Sequence, residues 1–412
     1  MAANPDGSRR HETVLSVEEA RARILAPLTA TGPETVAISD AWGRVLAAPV
    51  IARLTQPPAD VSAMDGYALR AADATQGAVL HIVGQAPAGH PFAGTVSQAE
   101  AVRLFTGSVI PAGADTVLLQ EDATASGDSV TVNAAPRQGQ HIRPRGQDFA
   151  ESDQIIPAGT KLHARHIGLA AAANHPWLTV HRRPTVAILT TGDEIAMPGE
   201  PIGEGGIVSS NSHMLAAMVR AAGGLPLLLP VARDTPEAIA TAARSAQGAD
   251  LLLTTGGASV GDHDVVQAGL AQLGFVLDFW KIAMRPGKPM ISGRIGSLPV
   301  LGLPGNPVSA FVCAMLFLTP ALARLSGLPD TPHPAEWARL GAPLRANDHR
   351  ADHLRASLNR GPDGMLTATP FARQDSGMLT ILTRADCLIL RPPHAPAEAE
   401  GVTVPIVRLD RV

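Results

Sequence analysis

The chain has 412 residues, 45% of them hydrophobic, yet only eight Phe, four Trp and one Tyr, so its cores rest on Ala, Val and Leu and aromatic platforms for single-stranded nucleic acid are not expected. A formal net charge of −4 gives no overall pull toward nucleic acid or an acidic membrane, so any anion site has to be local. The two cysteines, Cys313 and Cys387, lie far apart and outside any metal-ligand spacing, which argues against zinc or iron–sulfur chemistry and for a reducing, cytoplasmic setting.

This length implies about three or four domains. Met1 to Glu12 is polar with no apolar stretch of a secretory signal, and apolar runs elsewhere are broken by Pro, Gly or Arg within about fifteen residues, so neither export nor a membrane span is expected. In chain order, Ser16 followed by Glu19, with Val17, Ala20, Ile24 and Leu28 at helical spacing, predicts a capped amphipathic helix over 16–28. From 55 to 149 the texture changes to short β-type runs, Val79 to Val83, Ala101 to Phe105, Thr116 to Leu119 and Val130 to Val132, separated by Pro and Gly turns. This predicts a mostly β domain, 58–149, inserted into an N-terminal helical and linker region made of 13–57 and 150–183. Helical character returns from Pro157 to His175, and Arg182-Arg183-Pro184 reads as a boundary.

From Thr185 onward strands alternate with helices: Val186 to Leu189, a helix after Asn211, Leu225 to Val231, a helix Pro236 to Ala246, Leu251 to Leu253, a helix Asp264 to Leu273, Phe275 to Ile282, then Val300 to Leu303 and the Pro307 helix. Such alternation predicts a doubly wound α/β domain over 184–328. Gly327 to Pro334 is a linker by composition, and 335–412 returns to short strands of a compact β-barrel or sandwich.

Three strand ends carry the chemistry. Leu301 to Leu303 runs into Pro304-Gly305-Asn306-Pro307, where Asn306 can cap the next helix and the amides of Val308, Ser309 and Ala310 are expected to point outward for an oxyanion. A well-made strand-to-helix turn gives the same pattern. Leu251 to Thr255 runs into Gly256-Gly257-Ala258-Ser259-Val260-Gly261-Asp262-His263-Asp264, and Thr185 to Thr190 into Thr191-Gly192-Asp193-Glu194. Three such ends are the pattern of strands whose carboxyl ends share one ligand crevice.

Glu194, Asp234, Asp262 and Asp264 all follow predicted strands, and carboxylates so placed hold Mg²⁺ through one or two oxygens. Asp234 and Asp262 also suit plain helix N-termini. Lys281, Arg285 and Lys288 sit in an otherwise apolar segment with no acidic neighbour in sequence, which suits an anionic ligand, or else a protected edge strand. Ala63-Met64-Asp65-Gly66-Tyr67-Ala68 holds the single tyrosine and, by itself, is an ordinary Asp-Gly turn.

Eight segments in order, 62–68, Thr106-Gly107, 145–149, 191–194, Ser209-Ser210-Asn211, 255–262, Pro286-Gly287-Lys288-Pro289 and 303–309, resemble the motifs of the MoeA family of molybdopterin molybdenumtransferases, whose animal counterpart is the C-terminal domain of gephyrin. The resemblance covers nearly the whole chain. It implies an elongated N-terminal region, an inserted β domain, a central MoaB/MogA-like α/β domain and a C-terminal β-barrel, assembled as a homodimer with a shared active site and without nucleic-acid or membrane partners. It implies Mg²⁺-dependent insertion of molybdate into adenylylated molybdopterin with release of AMP.

On this resemblance Asp65, Glu194, Asp234, Asp264, Lys281 and Lys288 are the catalytic candidates, with Glu194, Asp234 and Asp264 as metal ligands and Asp65, Thr106 and Asp148 reaching the site from the other subunit. Substrate contacts fall to Thr191, Gly192, Ser209, Asn211, Gly256, Gly257, Ser259, Asp262, Arg285, Pro304, Gly305, Asn306 and Pro307, with Arg355 and Ser376 bordering the cleft. Arg285 stands where Lys is common, Gln147 replaces a frequent Glu, and Gln374 to Thr380 only approximates the usual Gly-Ser-Gly segment. Expected partners are a molybdopterin adenylyltransferase upstream and molybdoenzyme apo-proteins downstream. Two other readings share parts of the pattern: a molybdopterin adenylyltransferase, and a gephyrin-like scaffold with a degenerate site.

Overall fold

The computed structural model describes residues 14–256, 265–329 and 335–410. The chain forms two compact units, one of Met1–Glu34, Gly43–Ala47 and Val180–Val412, the other of Thr35–Trp42 and Ala48–Thr179.

The first unit is built around a six-stranded mixed sheet in the order Leu225–Leu228, Thr185–Thr190, Leu251–Thr255, Leu298–Leu303, Pro289–Ile295, Phe275–Lys281. The first four strands are parallel, and Pro289–Ile295 is antiparallel to both of its neighbours. Strands of continuous apolar residues bury both faces, and the two-residue period sorts them. Val186, Ile188, Leu251, Leu253, Leu301 and Leu303 face one core, and Ala187, Leu189, Leu252 and Val300 the other. Helices Val17–Leu25, Asn211–Ala221 and the one starting at Pro307 cover the first face; Pro236–Arg244 and Val265–Ala271 cover the second. The helix at Val17 has the expected capping box, with Ser16 Oγ accepting from the Glu19 N–H (3.1 Å) and Glu19 accepting from the Ser16 N–H (2.9 Å), but it ends at Leu25.

The helix at Pro307 runs past Pro320: the turn widens to π geometry over Ala314–Leu318, which accommodates a proline that cannot donate to the preceding turn, and α-helix resumes over Thr319–Leu325. The resulting Pro307–Leu325 is long and apolar enough to span a bilayer. It is instead a core element, with Val308, Val312, Met315, Phe317, Leu318 and Leu322 buried in the first core; each large apolar side chain there contributes roughly 1.5–3 kcal/mol.

After this helix, Glu336–Leu340, Ala351–Arg360, Leu366–Pro370, Cys387–Arg391 and Thr403–Arg408 close into a five-stranded barrel, each strand pairing with two others and the ring completed between Ala351–Arg360 and Cys387–Arg391. Ala338, Leu340, Ala356, Ile389 and Ile406 fill it, while Leu382, Leu388 and Val407 join the α/β core outside. The short strand Met284–Arg285 pairs in parallel with Ala351–Arg360, fastening barrel to sheet.

The second unit holds another six-stranded mixed sheet, ordered Thr116–Leu119, Gly66–Leu69, Glu100–Leu104, Val79–Ala86, Ser129–Val132, Ala123–Ser126. Its faces bury Leu69, Leu80, Leu118 and Val130 on one side and Ala68, Val102, Leu104 and Val117 on the other. A helix, Ala164–Ala172, and a short pair of strands, Gln154–Ile156 with Val50–Ile51, complete it.

Candidate functional site

Thr190, Thr255 and Leu303 end three adjacent parallel strands, and a crevice of about 610 Å³ opens beyond them. Thr191, Glu194, Ser209, Asn211, Gly256, Pro304, Gly305, Asn306 and Pro307 line it, joined by Thr190, Ser210, Thr255, Pro289, Gly377 and Leu379. A cleft of about 680 Å³ lies at the opposite ends of the strands, but its ionic pair, Arg182 and Asp250, is mutually satisfied at 2.7 and 2.9 Å. The candidate residues gather instead at the carboxyl ends.

Two glycines framing the crevice leave no room for a Cβ. Gly256 has φ +95°, and a Cβ there would run into the Thr191 carbonyl oxygen. Gly192, at φ +147°, lies so close to Glu194 that a Cβ would be 2.7 Å from its Oε2. The first residue of Asn211–Ala221, Asn211, is buried and donates from Nδ2 to Thr255 Oγ1 (2.9 Å) and to the Gly305 carbonyl (2.7 Å). Thr255 Oγ1 in turn donates to the Pro304 carbonyl (3.3 Å). One amide therefore ties two strand ends together. Asn211 Oδ1 and Thr191 Oγ1 are buried without partners among the described residues, and polar atoms left that way in a crevice wall suit a ligand or ordered water.

Carboxylates gather on the next loop. Asp193 Oδ1 accepts from the Asp234 N–H (3.2 Å), and desolvation plus the nearby Glu194 and Asp193 charges raise the Asp234 pKa above the ordinary carboxylate range. Asp193, absent from the sequence candidates though inside a quoted motif, belongs to this group, as does Thr255. No three His, Cys, Asp or Glu side chains among the described residues form a ready-made metal cluster. Gly257, Ser259, Asp262 and Asp264 lie outside the described residues.

The anion cradle expected after Pro307 is corrected. Asn306 makes no side-chain cap; its Nδ2 donates to Ser376 Oγ (3.0 Å). The Val308 N–H donates to the Ser376 carbonyl (3.0 Å), and the Ala310 N–H to the Asn306 carbonyl (2.9 Å), so these two amides are taken. Ser376 comes from the barrel, and the loop carrying it is held from within. Arg355, buried, donates to the carbonyls of Asp375 (2.9 Å) and Met378 (3.3 Å), while Gln374 exchanges hydrogen bonds with the Arg355 backbone. Arg355 thereby braces the loop that carries Ser376.

The three cations also divide. Arg285 pairs with Asp352 (3.0 Å) and Asp348 (3.3 Å), acidic partners more than sixty residues away, so its charge is spent on the barrel. Lys288 is exposed one residue before Pro289, at the crevice wall. Lys281 stands opposite Pro289 in the ladder, with its ammonium 3.8 Å from the Trp280 ring centroid.

In the second unit, Asp65 Oδ1 accepts from both the N–H (2.7 Å) and the Oγ1 (2.8 Å) of Thr106, which hold its carboxyl below the usual range. Asp148 is exposed and its N–H donates to the Gln56 carbonyl (3.1 Å).

Comparison with known proteins accounts for nearly the whole chain. Residues 15–174 match the family model for the MoeA N-terminal region (domain I and II), 187–324 that for "Probable molybdopterin binding domain", and 337–409 that for the MoeA C-terminal region (domain IV). The molybdopterin molybdenumtransferase of Haemophilus influenzae is 31% identical over 95% of this chain and 98% of its own length, and molybdopterin molybdenumtransferase 2 of Mycobacterium tuberculosis 35% identical over the same shares. The crystal structure of the molybdopterin biosynthesis MoeA protein from Pyrococcus horikoshii OT3 superposes with a TM-score of 0.82 at 27% identity, covering 96% of this chain and all of that one.

Proposed function

This chain belongs to the MoeA family of molybdopterin molybdenumtransferases, and we propose that the crevice at the carboxyl ends of its central sheet is where it inserts molybdenum into molybdopterin. The substrates in this proposal are adenylylated molybdopterin and molybdate, and the products are AMP and the molybdenum cofactor. The observation that carries it is the convergence of Glu194, Asn211, Gly256 and the 304–307 turn on one crevice inside the segment matched by the molybdopterin-binding model. The match to flanking regions on both sides favours this reading over a molybdopterin adenylyltransferase or a degenerate scaffold.

The substrate brings its own dithiolene sulfurs for the molybdenum. The protein therefore needs no thiolate at the site, in keeping with Cys313 and Cys387, both free and buried, their thiols pushed up by desolvation. What it must do is hold a nucleotide, its phosphates and a tetrahedral oxyanion. Lys288 and Lys281 supply positive charge beside Pro289, and the Gly192, Gly256 and Gly305 backbone leaves room for close approach. Asn211 fixes the separation of the 255–256 and 304–305 strand ends, so that a phosphoanhydride and an oxyanion meet in one orientation.

The crowding of Glu194, Asp193 and Asp234, which leaves Asp234 reluctant to ionise, fits a hard divalent cation. Glu194 and Asp234 would hold Mg²⁺, with Asp264 as the further candidate. When bound, it draws negative charge from the phosphoanhydride as AMP leaves. A homodimer in which Asp65, Thr106 and Asp148 of one subunit serve the crevice of the other, and a cytoplasmic setting between an adenylyltransferase and molybdoenzyme apo-proteins, belong to the same proposal and rest on the family resemblance.

The test supplies purified protein with Mg²⁺ and, in one arm, adenylylated molybdopterin with and without molybdate, in the other, molybdopterin and ATP without molybdate. AMP release that depends on molybdate is expected. Adenylylation of molybdopterin from ATP without molybdate would contradict the assignment.

A further inference from the structure

Arg103 has been given no part in the reaction. It lies on Glu100–Leu104, directly opposite Tyr67 in the antiparallel ladder, and its guanidinium stands 5.0 Å from the Tyr67 ring centroid and 5.1 Å from that of Phe105. Its Nη1 donates to the Gly66 carbonyl (3.0 Å) and its Nη2 to Gln120 Oε1 (2.7 Å). The Gln120 N–H donates to the Asp65 carbonyl (3.2 Å). On the other side of the turn, a Cβ on Gly66 would collide with the Leu118 carbonyl oxygen, so the Asp65-Gly66 peptide has little freedom to shift.

The result is a rigid mount for one carboxylate. Asp65 Oδ1 is fully engaged by Thr106, while Oδ2 accepts no hydrogen bond among the described residues. Arg103 forms no ion pair with a carboxylate at contact distance among the described residues, yet its charge helps keep Asp65 ionised. A guanidinium flanked by two rings and forked onto two acceptors is pre-organised in a way that a flexible ammonium is not.

We propose that Arg103 is a positioning residue for Asp65: held close to the Tyr67 and Phe105 rings and forked onto Gly66 and Gln120, it fixes the turn that leaves the second carboxylate oxygen of Asp65 free to accept from the substrate. This rests on the reading that Asp65 serves the transferase reaction.

The test uses the full chain and molybdate-dependent AMP release, comparing Arg103→Lys, Arg103→Gln, Gln120→Leu and Asp65→Asn. Lysine lacks the planar fork that reaches Gly66 and Gln120 together, so Arg103→Lys and Arg103→Gln are both expected to lower kcat by about 10-fold or more, with the thermal transition unchanged. Gln120→Leu, at an exposed position that leaves the main-chain bond to Asp65 intact, is expected to lower kcat by about 3-fold. The pH profile separates positioning from mere stability. Loss of the Arg103 charge raises the Asp65 pKa, so the acidic limb of the activity moves to higher pH in Arg103→Gln and stays in place in Arg103→Lys. Tyr67, Glu121, His141 and Arg143, titratable or charged groups beside this turn, are retained in every variant. Wild-type kcat and pH profile in both Arg103 variants, with Asp65→Asn inactive, would overturn the positioning role. Full activity of Asp65→Asn would overturn its premise and the proposal together.

Discussion

Replacing Asn211 by Asp tests the frame of the crevice with a change of one atom type. In the native chain Nδ2 donates twice, to Thr255 Oγ1 and the Gly305 carbonyl. Asn211→Ala removes both bonds and is expected to destabilise the 304–307 turn by about 2 kcal/mol, at about 1 kcal/mol per bond. An ionised Asp does worse, because the Gly305 carbonyl then faces a buried negative charge without a donor. The total cost is about 3–5 kcal/mol.

The protonated form keeps a donor for Gly305 and loses about 1 kcal/mol, so ionisation costs about 2–4 kcal/mol in the fold, a pKa raised by about 1.5–3 units above the ordinary aspartate value. The sign follows. The folded variant holds a proton that the unfolded chain releases, so stability falls as pH rises from about 4 to about 7 and is flat above. A protonated Asp can still donate to Gly305. At pH 4.5 Asn211→Asp is therefore at least as stable as Asn211→Ala, and at pH 7.5 it is less stable. Hydrogen exchange of the 304–310 segment, referenced at each pH to unstructured peptides, reads the local opening free energy that global unfolding of a two-unit chain would blur. Equal protection of the two variants at both pH values would refute the reasoning.

Asp234→Asn is expected to raise stability progressively as pH climbs through the carboxylate range, since the raised Asp234 pKa makes its ionisation unfavourable in the folded state. Added Mg²⁺ should stabilise the wild-type chain in thermal unfolding but not this variant. Arg355→Met is expected to leave overall stability within about 2 kcal/mol, because an apolar side chain of similar volume replaces a buried cation that has no carboxylate partner among the described residues. It should still speed exchange at 374–378 and at the Val308 amide, where unchanged protection would remove Arg355 from the loop's support. Gly192→Ala puts a Cβ 2.6 Å from Ile195 Cγ1 and 2.7 Å from Glu194 Oε2 at φ +147°. A loss of about 1–3 kcal/mol with weakened Mg²⁺ binding is expected, and wild-type binding would contradict the packing.

Where local pattern was enough, the sequence could be read directly. Continuous apolar runs ending in Gly or Pro located the parallel strands at 185, 251 and 298, and Ser16 with Glu19 marked a helix start that the capping box explains. Pairing direction left no such mark: nothing in the alternation of 275–295 distinguishes an antiparallel hairpin from another crossover. The errors share one cause, distance along the chain. Asn306 looks like a cap until Ser376, seventy residues on, takes its amide. Arg285 looks unpaired until the barrel brings Asp348 and Asp352 beside it.

A crystal structure with AMP and molybdate bound addresses the central claim most directly. Both ligands are expected in the crevice bordered by Thr191, Asn211, Gly256 and Asn306, with Glu194 within reach of the phosphate. Ordered binding of both ligands elsewhere, with that crevice empty, would contradict the placement of the reaction there.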